Sequence, residues 1–205
     1  MPKSYERKGC FGDYQAEFAE PRKCDWCADC PECSTLSPVV KKTINAESTT
    51  VAVKLDNGKP KLSLIHPSTM RALLISGRKE LDKIKDAICC LSEAAHAKDD
   101  AAFIAYTYQA LSDIVAYVEG EQSAIRLLTV AMEYGANKPE YGRNNWKKGM
   151  EWSRLIDAAQ RHGLAMLRGE EIDQESGNHH AGHMLASIHM LIGMKHLKVG
   201  TNDLY

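Results

Sequence analysis

The sequence predicts a mostly α protein, a helical bundle preceded by a short Cys-rich arm. Three observations point there. From Ser68 to the end, apolar residues recur every three or four positions, the period of a helix with one inward face. Pro139, Gly142, Gly149, Gly169 and Gly177 fall in the gaps between those runs. Residues 1–48 lack periodicity and concentrate Cys, Pro, Ser and Thr, so they cannot supply a core of their own. The expected division is an arm over 1–48 and an all-α domain over 49–205, with a helical insert at about 76–125.

The elements follow in order. Thr49-Thr50-Val51-Ala52-Val53 is β-like, and Asn57-Gly58 marks a turn. Ser68 is an expected N-cap, with Met70, Leu73 and Leu74 behind it. Leu81, Ile84, Ile88 and Leu91 form one stripe of a helix within Glu80–Ala97. Ile104, Tyr108, Leu111, Val115 and Val118 form the expected inner stripe of the next. A helix from Gln122 to Tyr134 should stop at Gly135, and one from Trp152 or Ser153 to Arg168 should stop at Gly169. The last helix runs from Asn178 to Leu197 and closes at Gly200. Such a set packs as a bundle.

Bulk composition excludes several classes. Of 205 residues, 44% are apolar and 26% charged, and the formal net charge is −1, so no basic surface calls for nucleic acid or an anionic membrane. No run reaches the roughly 18 apolar residues of a membrane span. Met1–Gly9 has no apolar signal-peptide stretch, and a cytoplasmic location is the expectation. Cysteines there are thiols or metal ligands rather than disulfides.

The chemistry concentrates near the C-terminus. Six of the eight histidines lie between His162 and His196. His180 and His183 are i,i+3 neighbours, and His179 and His183 are i,i+4 neighbours, so either pair can share a helix face. Glu170, Glu171, Asp173 and Glu175 lie on the loop just before them. Asp157, Arg161 and His162 share a turn of the preceding helix, and Glu133 lies one helix earlier. Carboxylates and imidazoles in this density suit a divalent cation that holds phosphate oxygens. Lys54, Lys59, Arg143, Lys147 and Lys148 can neutralise the remaining charge. A plainer reading stands beside this one: the acidic loop and His179 are solvated, and Asp157 with Arg161 is a surface ion pair.

Specific runs add a resemblance. Glu133-Tyr134-Gly135-Ala136, followed by Tyr141-Gly142-Arg143-Asn144-Asn145-Trp146-Lys147-Lys148-Gly149, resembles the phage and bacterial dATP/dGTP diphosphohydrolases over their N-terminal domain. Four more pieces agree in order: Val53–Pro60 with Leu64–Pro67, Asp157-Ala158-Ala159 with Arg161-His162, Arg168–Gly177, and His180-Ala181-Gly182-His183. Together they cover roughly half the chain. The resemblance implies Mg²⁺- or Mn²⁺-dependent cleavage of a (deoxy)nucleoside triphosphate, dATP or dGTP, to the monophosphate and pyrophosphate. It also implies an all-α, MazG-like fold that forms homo-oligomers. Under that reading Glu133, Glu171, Asp173 and Glu175 hold the metal, and Asp157, His162, Asp173, Glu175, His180 and His183 carry the chemistry. Lys54, Lys59, Arg143, Asn145, Trp146, Lys147 and Arg161 hold the nucleotide, with Trp146 stacking on the base.

The material between Leu74 and Arg126 departs from the compact family pattern. It resembles MazG-type pyrophosphohydrolases, with Ala110 where a carboxylate of their second pair belongs and only Asp113 remaining. It is either a diverged site or a structural helix pair that helps form a dimer. Cys24, Cys27, Cys30 and Cys33, each three residues from the next, are thiols in the pattern of a structural Zn²⁺ site. An iron–sulfur cluster or no metal are the other readings. Two rival functions stay open: a nucleotide- or metal-binding interaction protein without turnover, and an HD-like triphosphohydrolase, although the chain has no adjacent His-Asp pair.

Overall fold

The structure is a computed structural model that describes residues 51–75 and 78–204. Cys24, Cys27, Cys30 and Cys33, with the zinc reading attached to them, lie outside the described residues. Six α-helices follow one another: α1 Pro67–Leu73, α2 Asp82–Ala95, α3 Asp100–Tyr117, α4 Glu121–Ala136, α5 Ser153–Leu167 and α6 His180–Leu197. Short 3-10 turns at Leu62–Leu64, Lys79–Leu81 and Asn145–Lys148 join them. The described residues contain no strand, only isolated bridges between Glu151 and Thr201 and between Ile172 and His179.

Helix α6 is the axis of the bundle, packed against α5, α4 and α3. Its sequence explains the position. HAGHMLASIHMLIGM carries apolar or small residues on every side, and Met184, Leu185, Ile188, Leu191 and Met194 are all sealed; a helix without a polar face belongs in the interior. Helices α2 and α3 pack on each other, and α2 also seals α5. The expected α2 stripe is buried as read, with Ile84, Ile88 and Leu91 fully enclosed. The region expected as an insert therefore supplies part of the common core.

Four expectations change. In α3 the inward face is Phe103, Thr107, Ala110 and Ile114, while Ile104 and Tyr108 are exposed. This helix is apolar nearly all round, so periodicity does not select a face; the stacking of Phe103 on Trp152, ring centroids 5.2 Å apart, does. Helix α4 continues through Gly135 to Ala136. Helix α1 is capped by His66, whose ring accepts from the Ser68 N–H, and Pro67 takes the first helical position. The described part of the β-like run, Val51–Val53, is no strand. The Asn145 side chain accepts from the Val53 N–H at 3.0 Å and donates to the Val53 carbonyl at 2.7 Å. One amide thus satisfies the backbone groups a neighbouring strand would have taken.

Candidate metal centre

The acidic loop is a tight, backbone-bonded return. Gly169, at φ +93°, ends α5, a conformation that favours glycine. The Asp173 N–H donates to the Asn178 carbonyl, Gly177 N–H to Asp173, and His180 N–H to Glu171, each at 2.8 Å. These bonds set Asp173 over the first turn of α6. His179 is the N-cap there, its Nδ1 accepting from the Ala181 N–H at 3.0 Å, which directs the ring away from the pair that follows. Gly182 sits where the α4 backbone arrives: a Cβ at this position would lie 2.6 Å from the Leu127 carbonyl oxygen. Only glycine lets α4 approach closely enough to wall the site.

His180 and His183 of α6 meet His162 of α5. His162 Nδ1 lies 2.8 Å from His180 Nδ1, and the His162 ring stacks on His183 with centroids 4.7 Å apart. One ligand atom each from His162, Asp173 and His180 falls within a 4.8 Å cluster. Ser176 completes it. Its hydroxyl donates to Asp173 Oδ2 at 2.7 Å and lies 2.7 Å from His183 Nε2. A hydroxyl has one proton and an ionised carboxylate only accepts, so His183 donates through Nε2–H and keeps its lone pair on Nδ1.

Burial sets the protonation. It pushes His162 down to about 3, helped by the two neighbouring histidines, and it lowers His180 and His183 too. The three imidazoles are neutral at pH 7, the form that binds metal. Burial alone would raise the Asp173 carboxyl, but the bonds from Ser176 and the adjacent histidines hold it below its ordinary value.

The cluster opens into a cavity of about 770 Å³. Lys54, Lys59, Arg143 and Arg161 line it, as do Glu133, Glu175, Asn145 and Trp146. The half-buried Lys54 ammonium is pushed down to about 8 by burial, against the pull of Asp56. Trp146 seats its ring edge on α6 at Gly193, where a Cβ would come within 2.7 Å, and meets His189 edge-on at 5.5 Å.

Three expected site residues lie apart from the cluster. Asp157 is buried and accepts from the Ser63 N–H at 2.7 Å. Its expected partner Arg161 donates instead to the Pro60 carbonyl at 2.7 Å, so both side chains pin residues 60–63 onto α5. Glu171 is exposed, with Tyr117 and His179 as its electrostatic neighbours. Lys147 is exposed and stands over the Trp146 ring at 5.7 Å.

Sequence reasoning passed over Ser176, Lys138 and the Asp56–Arg154 pair. Lys138 binds Glu175 at 2.7 Å, and Arg154 grips both oxygens of Asp56 across 98 positions of chain. Ser176 stood inside the D-x-E-S-G run, which was its available signal. Periodicity carries none for loop residues or distant ion pairs.

Residues 111–204, which include α4, α5, α6 and the whole cluster, match the family model described as dATP/dGTP diphosphohydrolase, N-terminal. The sequence resemblance and the family model name the same family. A dATP/dGTP diphosphohydrolase of Salmonella phage PMBT28 is 31% identical over 74 residues, 36% of this chain. The aligned stretch spans a quarter of that phage protein, 25% of its length. No solved structure matches. Among the described residues, no helix is long and apolar enough to cross a membrane.

Proposed function

We propose that this protein hydrolyses a purine deoxynucleoside triphosphate, dATP or dGTP, to the monophosphate and pyrophosphate with a divalent cation, acting in the cytoplasm. The observation that carries this reading is the convergence of His162, Asp173 and His180 on a cavity that Lys54, Lys59, Arg143 and Arg161 also line. The name of the phage relative supports the substrate class. The donor set fits a divalent ion: two neutral ring nitrogens and one ionised carboxylate, gathered from two helices and a loop. A bound cation supplies charge neutralisation on the phosphate oxygens and orientation of the attacking water.

The chain's own residues do the rest. Lys54 and Arg161, with Lys59 and Arg143 nearer solvent, hold the phosphates and offset the charge that builds on the leaving pyrophosphate. His183 Nδ1 accepts the proton of the attacking water, while Ser176 and Asp173 keep the ring oriented. The water oxygen bonds to the α-phosphorus, the α–β bridging bond breaks, and its electron pair leaves with pyrophosphate. Trp146, Met190 and Leu128 line the apolar part of the cavity, which suits a base.

Incubation with each dNTP and Mg²⁺ or Mn²⁺, with ion-exchange resolution of products, tests this reading. Monophosphate plus pyrophosphate is the expected result. Tripolyphosphate plus nucleoside would replace it with the HD-like reaction, and no turnover would leave a binding protein.

A further inference from the structure

We infer that the resident ion of the His162–Asp173–His180 site is a borderline transition ion of the Fe²⁺, Co²⁺, Zn²⁺ kind and not Mg²⁺. The inference gives the cation of the proposed hydrolysis an identity, and rests on that reading for its purpose though not for its binding.

The donors decide it. Mg²⁺ takes oxygen ligands, keeps several waters, and is held through one or two carboxylates together with substrate phosphates. Imidazole nitrogen favours the later first-row ions. Here two imidazole nitrogens and one carboxylate oxygen form the cluster, and a third imidazole, His183, stacks against it. Nitrogens bound about 2.1 Å from a common ion lie about 3 Å apart at an octahedral angle and about 3.4 Å apart at a tetrahedral one; the two Nδ1 atoms are at 2.8 Å, nearer the octahedral spacing.

The other carboxylates around the cavity do not change the balance. Glu175 is held by Lys138 at 2.7 Å and Glu170 by Arg168 at 3.0 Å, and Glu133 stands exposed on α4. Among the described residues Asp173 is the one carboxylate gathered with the rings, and the two bonds it accepts from Ser176, through N–H and hydroxyl, go to Oδ2. Oδ1 is left to face a cation. This bonding of a ligand's second oxygen is how outer partners orient a metal-binding carboxylate. Mg²⁺ then belongs with the nucleotide, as the counterion of its phosphates.

The test uses the full chain carrying Cys24→Ser, Cys27→Ser, Cys30→Ser and Cys33→Ser, so that thiolates do not compete. Co²⁺ is titrated in without nucleotide and its visible absorption recorded. One Co²⁺ per chain is expected, and its band should persist in about 100-fold excess Mg²⁺. His180→Gln should abolish the band, and Asp173→Asn should weaken binding at least about 100-fold, with melting curves showing both variants folded. Displacement of Co²⁺ by Mg²⁺ at comparable concentration would overturn the inference, as would an unchanged band in folded His180→Gln. Full hydrolysis with Mg²⁺ alone and no Co²⁺ site would sink the inference while leaving the hydrolase reading intact. A persistent Co²⁺ site in a chain that turns over no nucleotide would do the reverse.

Discussion

Helices α2 and α3 and helices α5 and α6 are two packed pairs of similar length whose buried polar groups differ in chemistry. The first pair buries Ile84, Ile88, Leu91, Phe103 and Ile114, and its buried polar groups are Ser92, Thr107 and Asp113, bonded to the Ile65 carbonyl, the Phe103 carbonyl and Lys83. The second pair buries Asp157, Gln160, His180 and Ser187 beside its Leu, Ile and Met residues. Buried polar groups are costly unless they are bonded, and most of these are: Asp157 to Ser63, Gln160 Nε2 to the Ile88 carbonyl, His180 to His162. Gln160 Oε1 is the buried side-chain atom without a partner among the described residues. The first pair stabilises; the second spends stability on a constellation that can bind an ion. On the proposed function, the difference separates a region whose substitutions should act on folding from one whose substitutions should act on chemistry.

The largest effect expected is on the second pair. Asp173→Asn keeps the shape of the loop but removes the charge that would face the proposed ion, and turnover should fall about 1,000-fold with an unchanged melting temperature. A normal rate would remove the site. For the first pair, Ile88→Ala should cost about 2–4 kcal/mol in denaturant unfolding, because its side chain is fully enclosed. Its turnover per folded molecule should stay normal. Asp157→Ala tests whether a site-helix residue can behave like one of the first pair. Loss of its bond to Ser63 should cost about 1–3 kcal/mol of stability, and turnover should survive.

A pH series sharpens the comparison. Lys54, pushed down to about 8 by burial, is charged at neutral pH and loses its charge as pH rises through that value. The KM for nucleotide should therefore climb severalfold between about pH 7 and pH 9, with kcat less affected. Lys54→Arg, which stays charged, should flatten that limb. Smallest of all is Asp113→Asn. Asp113 is buried and bonded to Lys83 at 3.0 Å, the remnant of the expected MazG-like pair, and the substitution should leave turnover unchanged. A large loss there would mean that α3 also carries chemistry.

Much of this was legible in one dimension. The α2 stripe fixed its own burial because four apolar residues stand against charged ones, as Leu81, Ile84, Ile88 and Leu91 do against Lys83, Lys85 and Asp86. The helix α6 histidines were visible because i,i+3 spacing puts His180 and His183 on one face whatever the helix packs against. The phase of α3 was not visible, since a helix apolar on all sides has no preferred face until Trp152 meets Phe103. Asn145 likewise stood among candidate ligand-binding residues, and nothing local shows that its amide completes the backbone of Val53, 92 positions away.

The sequence by itself determined the helical class, the order of the elements and the family resemblance, because periodicity, capping residues and short motifs are local properties. It also brought His162, Asp173, Glu175, His180 and His183 forward as candidates. Only the tertiary structure decided between the two aspartates. Asp157 and Asp173 look alike as residues, and Asp157 stands closer in sequence to His162. The fold gives one to a buried backbone N–H at Ser63 and sets the other against the imidazoles. Which acceptor meets which donor depends on how α5, α6 and the residues near Ser63 come together. No spacing along the chain contains that information.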